Sequence, residues 1–233
     1  MKKILKILGA VVVVLLLIGV LIGWIAHEPL PEGRSGAEAD ALAHKMLKAL
    51  NYKNYQTTRY LEWSFQGGKN HYLWDKARGT CRVQWENYTV ALNLVDPKQS
   101  TVTSSGASVP SGTSEKIIDT ALAYFNNDSF WLVAPYKVFD TGTSRSIVAL
   151  ENGKQGLLVT YTSGGTTPGD SYLWILNDAG FPEAYKMWVQ ILPIGGLEAS
   201  WKDWTTTKSG AFLPSLHQLG PISLSMGDVK GYN

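Results

Sequence analysis

Cysteine is nearly missing from this chain: Cys81 stands alone, so no internal disulfide can form and neither a cysteine scaffold nor a thiolate metal centre can be built. The four histidines are scattered at positions 27, 44, 71 and 217, without the short spacings that bring imidazoles onto one ion, so no metal and no cofactor is expected. An excess of one charge sign is also missing. With 21 basic and 19 acidic residues the formal charge is +2, which gives no electrostatic footprint for nucleic acid, and none is expected as a partner. The composition, at 45% hydrophobic and 11% aromatic residues, excludes a disordered acidic tail and a collagen-like chain.

Charge is absent altogether from Ile7 to Ala26, ILGAVVVVLLLIGVLIGWIA. As a helix, twenty residues rising about 1.5 Å each would cross about 30 Å of hydrocarbon, so a transmembrane helix is expected over 7–26. A cleavable signal peptide is the competing reading, opposed by the length of the apolar run and by the bulky Trp24 near the would-be cleavage point. Lys2, Lys3 and Lys6 precede the run. They predict a cytoplasmic basic tail at 1–6 and place everything after about residue 27 across a bacterial inner membrane, in the periplasm or otherwise extracytoplasmic, as a single-pass protein. Without those three lysines the 21 basic residues fall to 18 against 19 acidic. Residues 27–36, with two prolines and two glycines in PLPEGRSG, read as a tether, and 37–233 as one extracytoplasmic β-rich domain.

Within that domain, apolar residues at Ala39, Leu42, Ala43, Met46, Leu47 and Leu50 recur at helical spacing, with Glu38 and Asp40 early and Lys45 and Lys48 late, as the helix dipole prefers. This predicts a helix over 37–50. A second is expected from Ser114 to about Phe125, after a polar loop spanning 100–113. The remainder reads as short strands. Leu61, Trp63 and Phe65 alternate with Tyr60, Glu62 and Ser64, and Gly67-Gly68 turns the chain toward a strand at 71–74, predicting an antiparallel hairpin. Further strands are expected near 80–85, 88–94, 130–133, 137–139, 146–150, 156–161, 171–176, 184–191, 198–201 and 211–213. One or two edge strands follow between 217 and 226. Cys81 is expected to be buried beside Trp85.

The element order, together with LEWSF at 61–65, HYLWD at 71–75 and FWLVAPY at 130–136, resembles the periplasmic lipoprotein carriers and outer-membrane lipoprotein-sorting-like proteins. The resemblance implies a mainly β fold: a strongly curved antiparallel sheet, an incomplete β-barrel, covered by two or three helices, whose apolar concavity receives acyl chains of lipids or lipoproteins.

No catalytic constellation emerges. Glu62, His71 and Asp75 could share one face of the hairpin and suit acid–base work, or form ordinary polar pairs on a strand surface. The glycine-rich run 163–167 has neither a nucleophile-elbow frame nor the lysine of a phosphate loop, and reads as a turn. Tryptophan is the informative excess, with eight beyond the apolar run. Trp63, Phe65, Trp74 and Trp131, with Leu42 and Met46 from a helical lid, are the expected ligand-binding residues, and Trp201 and Trp204 the expected partner surface. Three functions stay open on these residues: lipid or lipoprotein binding, an accessory subunit of a membrane protein complex, and carbohydrate binding or processing.

Overall fold

The computed structural model describes residues 26–163 and 167–233, together with Gly23. The expected span at 7–26 thus lies outside the described residues except for Gly23 and Ala26. Among the described residues no helix is long and apolar enough to cross a membrane. The single-pass topology and the periplasmic address, both derived from that span, are corrected accordingly: nothing described supports them.

A short strand, β1 (Arg34–Ser35), leads into α1 (Ala37–Ala49) and α2 (Tyr52–Thr57). The hairpin expected from LEWSF and HYLWD forms as β2 (Tyr60–Phe65) and β3 (Asn70–Asp75), paired in register from Tyr60 opposite Asp75 to Phe65 opposite Asn70. The meander continues through β4 (Thr80–Trp85), β5 (Tyr88–Asn93), β6 (Thr101–Ser104) and β7 (Ala107–Ser108). The stretch expected as a polar loop is therefore largely an edge hairpin. Next comes α3 (Ser111–Val133). A second meander follows as β8 (Thr143–Ala149), β9 (Gln155–Tyr161), β10 (Ser171–Leu176), β11 (Pro182–Trp188), β12 (Leu197–Ser200), β13 (Lys202–Thr206), β14 (Phe212–Leu219) and β15 (Ile222–Ser225). The last strand is β16 (Lys230–Tyr232).

These strands form two separate, open antiparallel sheets among the described residues. One has seven strands in the order β16-β2-β3-β4-β5-β6-β7; the other has nine, β1-β8-β9-β10-β11-β12-β14-β13, with β15 also on β14. The expected incomplete barrel is thereby corrected. The fold is mixed α/β with two sheets and no closed or strongly curved barrel. The C-terminal strand stitches the halves, since β16 leaves the nine-stranded side and pairs with β2 of the other sheet.

Helix α3 explains why one curved sheet does not form. It packs against β5 and β6 of one sheet and β14 of the other. Phe125 meets Trp63 and Trp74, Tyr124 meets Trp85, Phe130 meets Tyr161 and Tyr172, and Trp131 meets Tyr185 and His217. A helix buried on several sides loses the one-sided stripe that marks surface helices. That is why its last turns, Phe130 to Val133, read as a strand. Likewise 137–139 is a turn after the 3-10 segment Ala134–Tyr136 rather than a strand.

On the opposite face of the nine-stranded sheet, Val148, Leu158 and Leu173 form a small second core with Leu150 and Trp188. Residues 27–36, expected as a tether, are bonded along this sheet. The Gly195 N–H donates to His27 Nδ1 at 3.0 Å, Trp188 Nε1 donates to the Glu28 carbonyl at 2.8 Å, and Lys186 pairs with the Glu28 carboxylate. Gly33 then passes so close to β8 that a Cβ there would lie 2.5 Å from that of Ser146, an approach open only to glycine.

Candidate functional site

The expected ligand-binding residues are brought together, but as filled interior. Trp63, Phe65 and Met46 are buried, and Leu42, Trp74 and Trp131 are half-buried against the same contiguous core. Trp63 stacks on its cross-strand neighbour Tyr72 at 4.5 Å, and Phe125 stands edge-on to Trp74 at 5.2 Å. Where an acyl chain was to lie, α3 and these rings pack instead, and neither of the best-formed grooves of the described residues opens between the sheets. Lipid binding in an apolar concavity is corrected on this ground. Trp201, expected on an exposed surface, is buried against Trp174, Tyr185 and His217; Trp204 is half-buried against Phe181. No tryptophan beyond residue 26 is exposed.

Cys81 is buried, and burial pushes its thiol far above the ordinary range. Glu62, His71 and Asp75 do lie on one face of the hairpin, but Asp75 is buried there, and both carboxylates are engaged in structural contacts. Asp75 is held by Arg59 at 2.9 Å, which keeps its carboxyl below the usual range, and Glu62 accepts from the Tyr232 hydroxyl. The run 163–167, expected as a turn, lies mostly outside the described residues. Among the described residues no group of three or more His, Cys, Asp or Glu could hold a metal ion.

The larger groove lies where the two N-terminal helices meet. Helix α1 is capped by Leu50, and Asn51 adopts a left-handed conformation, φ 53° and ψ 49°, which asparagine tolerates and which turns the chain sharply into α2. That corner sets Leu47, Lys48 and His44 of α1 beside Asn51, Tyr52 and Lys53, and the turn after α3 adds Phe139, enclosing about 490 Å³. Phe139 is 36% exposed. The His44 imidazole stacks on it at 4.5 Å and 22°, and the Arg145 guanidinium sits 4.3 Å from its ring centre.

Beneath the groove three tyrosines pack together. Tyr55 and Tyr136 stack face to face at 3.9 Å, with Tyr52 6.1 Å from Tyr136. The Tyr136 hydroxyl donates to the Phe212 carbonyl and lies 3.1 Å from that of Leu50, tying the helix corner to β14. Burial holds both phenols protonated by raising their pKa values.

Charge around the rim is uneven. Asp40 is occupied by Arg145 at 2.6 Å and Asp140 by Lys137. Lys48 and Lys53 are exposed and have no ion-pair partner among the described residues. The result is an aromatic and aliphatic floor edged by two uncompensated ammonium groups. Sequence reasoning missed Phe139 by placing it at a strand end, and assigned the lysines of α1 only to the helix dipole. The available signal was their run with Lys53 on the polar side of an otherwise apolar helix pair.

No protein-family model matches the chain, and no curated protein is significantly similar to it.

Proposed function

We propose that this chain is a binding module whose recognition surface is the α1–α2 groove, and that it docks an acidic segment of a partner protein bearing an apolar or aromatic side chain. The observation that carries this reading is the exposed Phe139, stacked on His44, between the unpaired lysines 48 and 53. Aromatic anchors dominate the energetics of protein contacts, while charge at the rim steers encounter and selects sign. The groove is open along one side, so it cannot enclose most of a small molecule's surface as a dedicated ligand pocket does. A side chain projecting from a peptide fits such a surface.

The test is fluorescence anisotropy with a labelled Asp-Glu-Phe-Asp-Glu peptide and a Lys-Arg-Phe-Lys-Arg control. The expected result is salt-sensitive binding of the acidic peptide alone, weakened at least about tenfold by the double charge reversal Lys48→Glu with Lys53→Glu, a loss of about 1.4 kcal/mol. Equal binding of both peptides, no binding of either, or indifference to the reversal would sink the reading.

A further inference from the structure

A second groove lies on the solvent face of the seven-stranded sheet, away from the helices. Because side chains alternate along each strand, one row across β16, β2, β3 and β4 reads Lys230, Glu62, Leu73, Arg82, in register throughout. The next row adds Ser64, His71 and Gln84, and together with Asp228 these residues enclose about 310 Å³.

The charges in this groove are separated. At its β16–β2 side stand Glu62 and Asp228, sharing Lys230 at 3.6 and 3.3 Å, so two carboxylates face one ammonium. The Tyr232 hydroxyl donates to Glu62, and the Tyr232 ring stacks on Tyr60 at 5.2 Å, which fixes that carboxylate in place. At the β4 side Arg82 is exposed and has no ion-pair partner among the described residues. Leu73 separates the two sides, and with strands about 4.8 Å apart the Glu62 and Arg82 backbones stand about 10 Å from each other.

We infer that this groove binds a short zwitterionic peptide, its ammonium group against Glu62 and Asp228 and its carboxylate against Arg82. Three features set this occupant. The residual charge is negative on one wall and positive on the other. The guanidinium offers paired donors matched to a carboxylate. The volume lies at the low end for small ligands, the size of a dipeptide rather than of a folded partner. His71, Ser64 and Gln84 offer hydrogen bonds to the peptide linkage between the termini. The site is independent of the α1–α2 groove and adds a small-molecule ligand to a protein-docking surface.

The probe is L-alanyl-L-alanine added to the full chain, compared with its N-acetylated and its C-amidated forms, with amide shifts in β2, β3 and β4 followed by NMR. The expected result is saturable shifts at Glu62, His71 and Arg82 with the free dipeptide, and at least about tenfold weaker binding of each blocked form. Arg82→Gln should weaken the free dipeptide and become indifferent to amidation, while Glu62→Gln should become indifferent to acetylation. Free alanine binding as tightly as the dipeptide would overturn the span between the walls. Absence of shifts, or equal shifts from all three forms, would overturn the site. Should a variant disturb the sheet, the blocked ligands on the unaltered chain still decide.

Discussion

The imidazole of His217 stands edge-on to the indole of Trp201, ring centroids 4.5 Å apart and planes at 72°. His217 is 0% exposed; its Nδ1 lies 3.1 Å from the Ser200 carbonyl and so carries the proton, while Nε2 has no partner among the described residues. Desolvation pulls its pKa down from 6.5 to about 4, against a smaller opposing pull from the backbone carbonyls. The neutral ring is therefore what the fold accommodates. Stability from this group is complete above the unfolded pKa of about 6.5 and is lost as pH falls toward 4, by up to about 3 kcal/mol. Urea unfolding at a series of pH values should show this loss in the native chain and not in His217→Gln. Parallel profiles would show that the ring is not the titrating group.

Asp128 gives the opposite sign. Its carboxyl is fully buried in α3 and accepts from Asn70 Nδ2 at 3.0 Å, from the Tyr72 hydroxyl, and from Asn127 Nδ2 at 2.8 Å. Burial raises its pKa, with the three donors only partly offsetting it. With the folded pKa above the unfolded one, the folded state binds the extra proton, and this group's contribution to stability falls as pH rises through that window. Asp128→Asn keeps an acceptor without the charge and should raise the melting temperature at neutral pH, the gain shrinking on acidification. Asp128→Ala should instead cost about 1–3 kcal/mol, because Asn70 and Tyr72 lose their acceptor. A neutral-pH loss for Asn equal to that for Ala would refute the account.

Filling of the space between the sheets can be tested at Phe125. It is 7% exposed and touches Trp63 and Trp74 from α3, so Phe125→Ala should leave a cavity and cost about 3–5 kcal/mol in denaturant unfolding. A vacant ligand cavity would tolerate the truncation with little loss.

How much of this could be read in the sequence divides along physical lines. The β2–β3 hairpin was legible because Leu61, Trp63 and Phe65 alternate with polar residues and only one face is buried. Helix α1 was legible for the matching reason, with Ala39, Ala43, Met46 and Leu47 on its covered side. Helix α3 was half legible. Its first turns keep polar residues, whereas Phe130 to Val133 are enclosed and carry no period. The pairing of β16 with β2, about 170 residues apart in the chain, leaves no local trace, since registers such as Lys230 opposite Glu62 are fixed by long-range contacts. Both grooves depend on such joins. Phe139 reaches His44 only because α3 returns the chain to α1, and Lys230 reaches Glu62 only through the terminal strand.

Cys81 offers a readout of the whole fold. It faces inward from the middle of the seven-stranded sheet, opposite Trp74 on one side and Leu92 on the other, and is 1% exposed. Only a thiolate attacks a disulfide reagent, and burial both hides this sulfur and holds it protonated. Local fraying cannot expose it, because three strands lie on each side of β4 in the sheet. Labelling by an aromatic disulfide should therefore be very slow in native buffer, accelerate with urea in step with unfolding measured by tryptophan fluorescence, and reach one thiol per chain when denatured. Asp128→Ala and Phe125→Ala should both speed it in proportion to their loss of stability. Prompt stoichiometric labelling of the native chain would mean that the sheet opens at β4 without global unfolding, and would contradict the packing of α3 against β5 and β6.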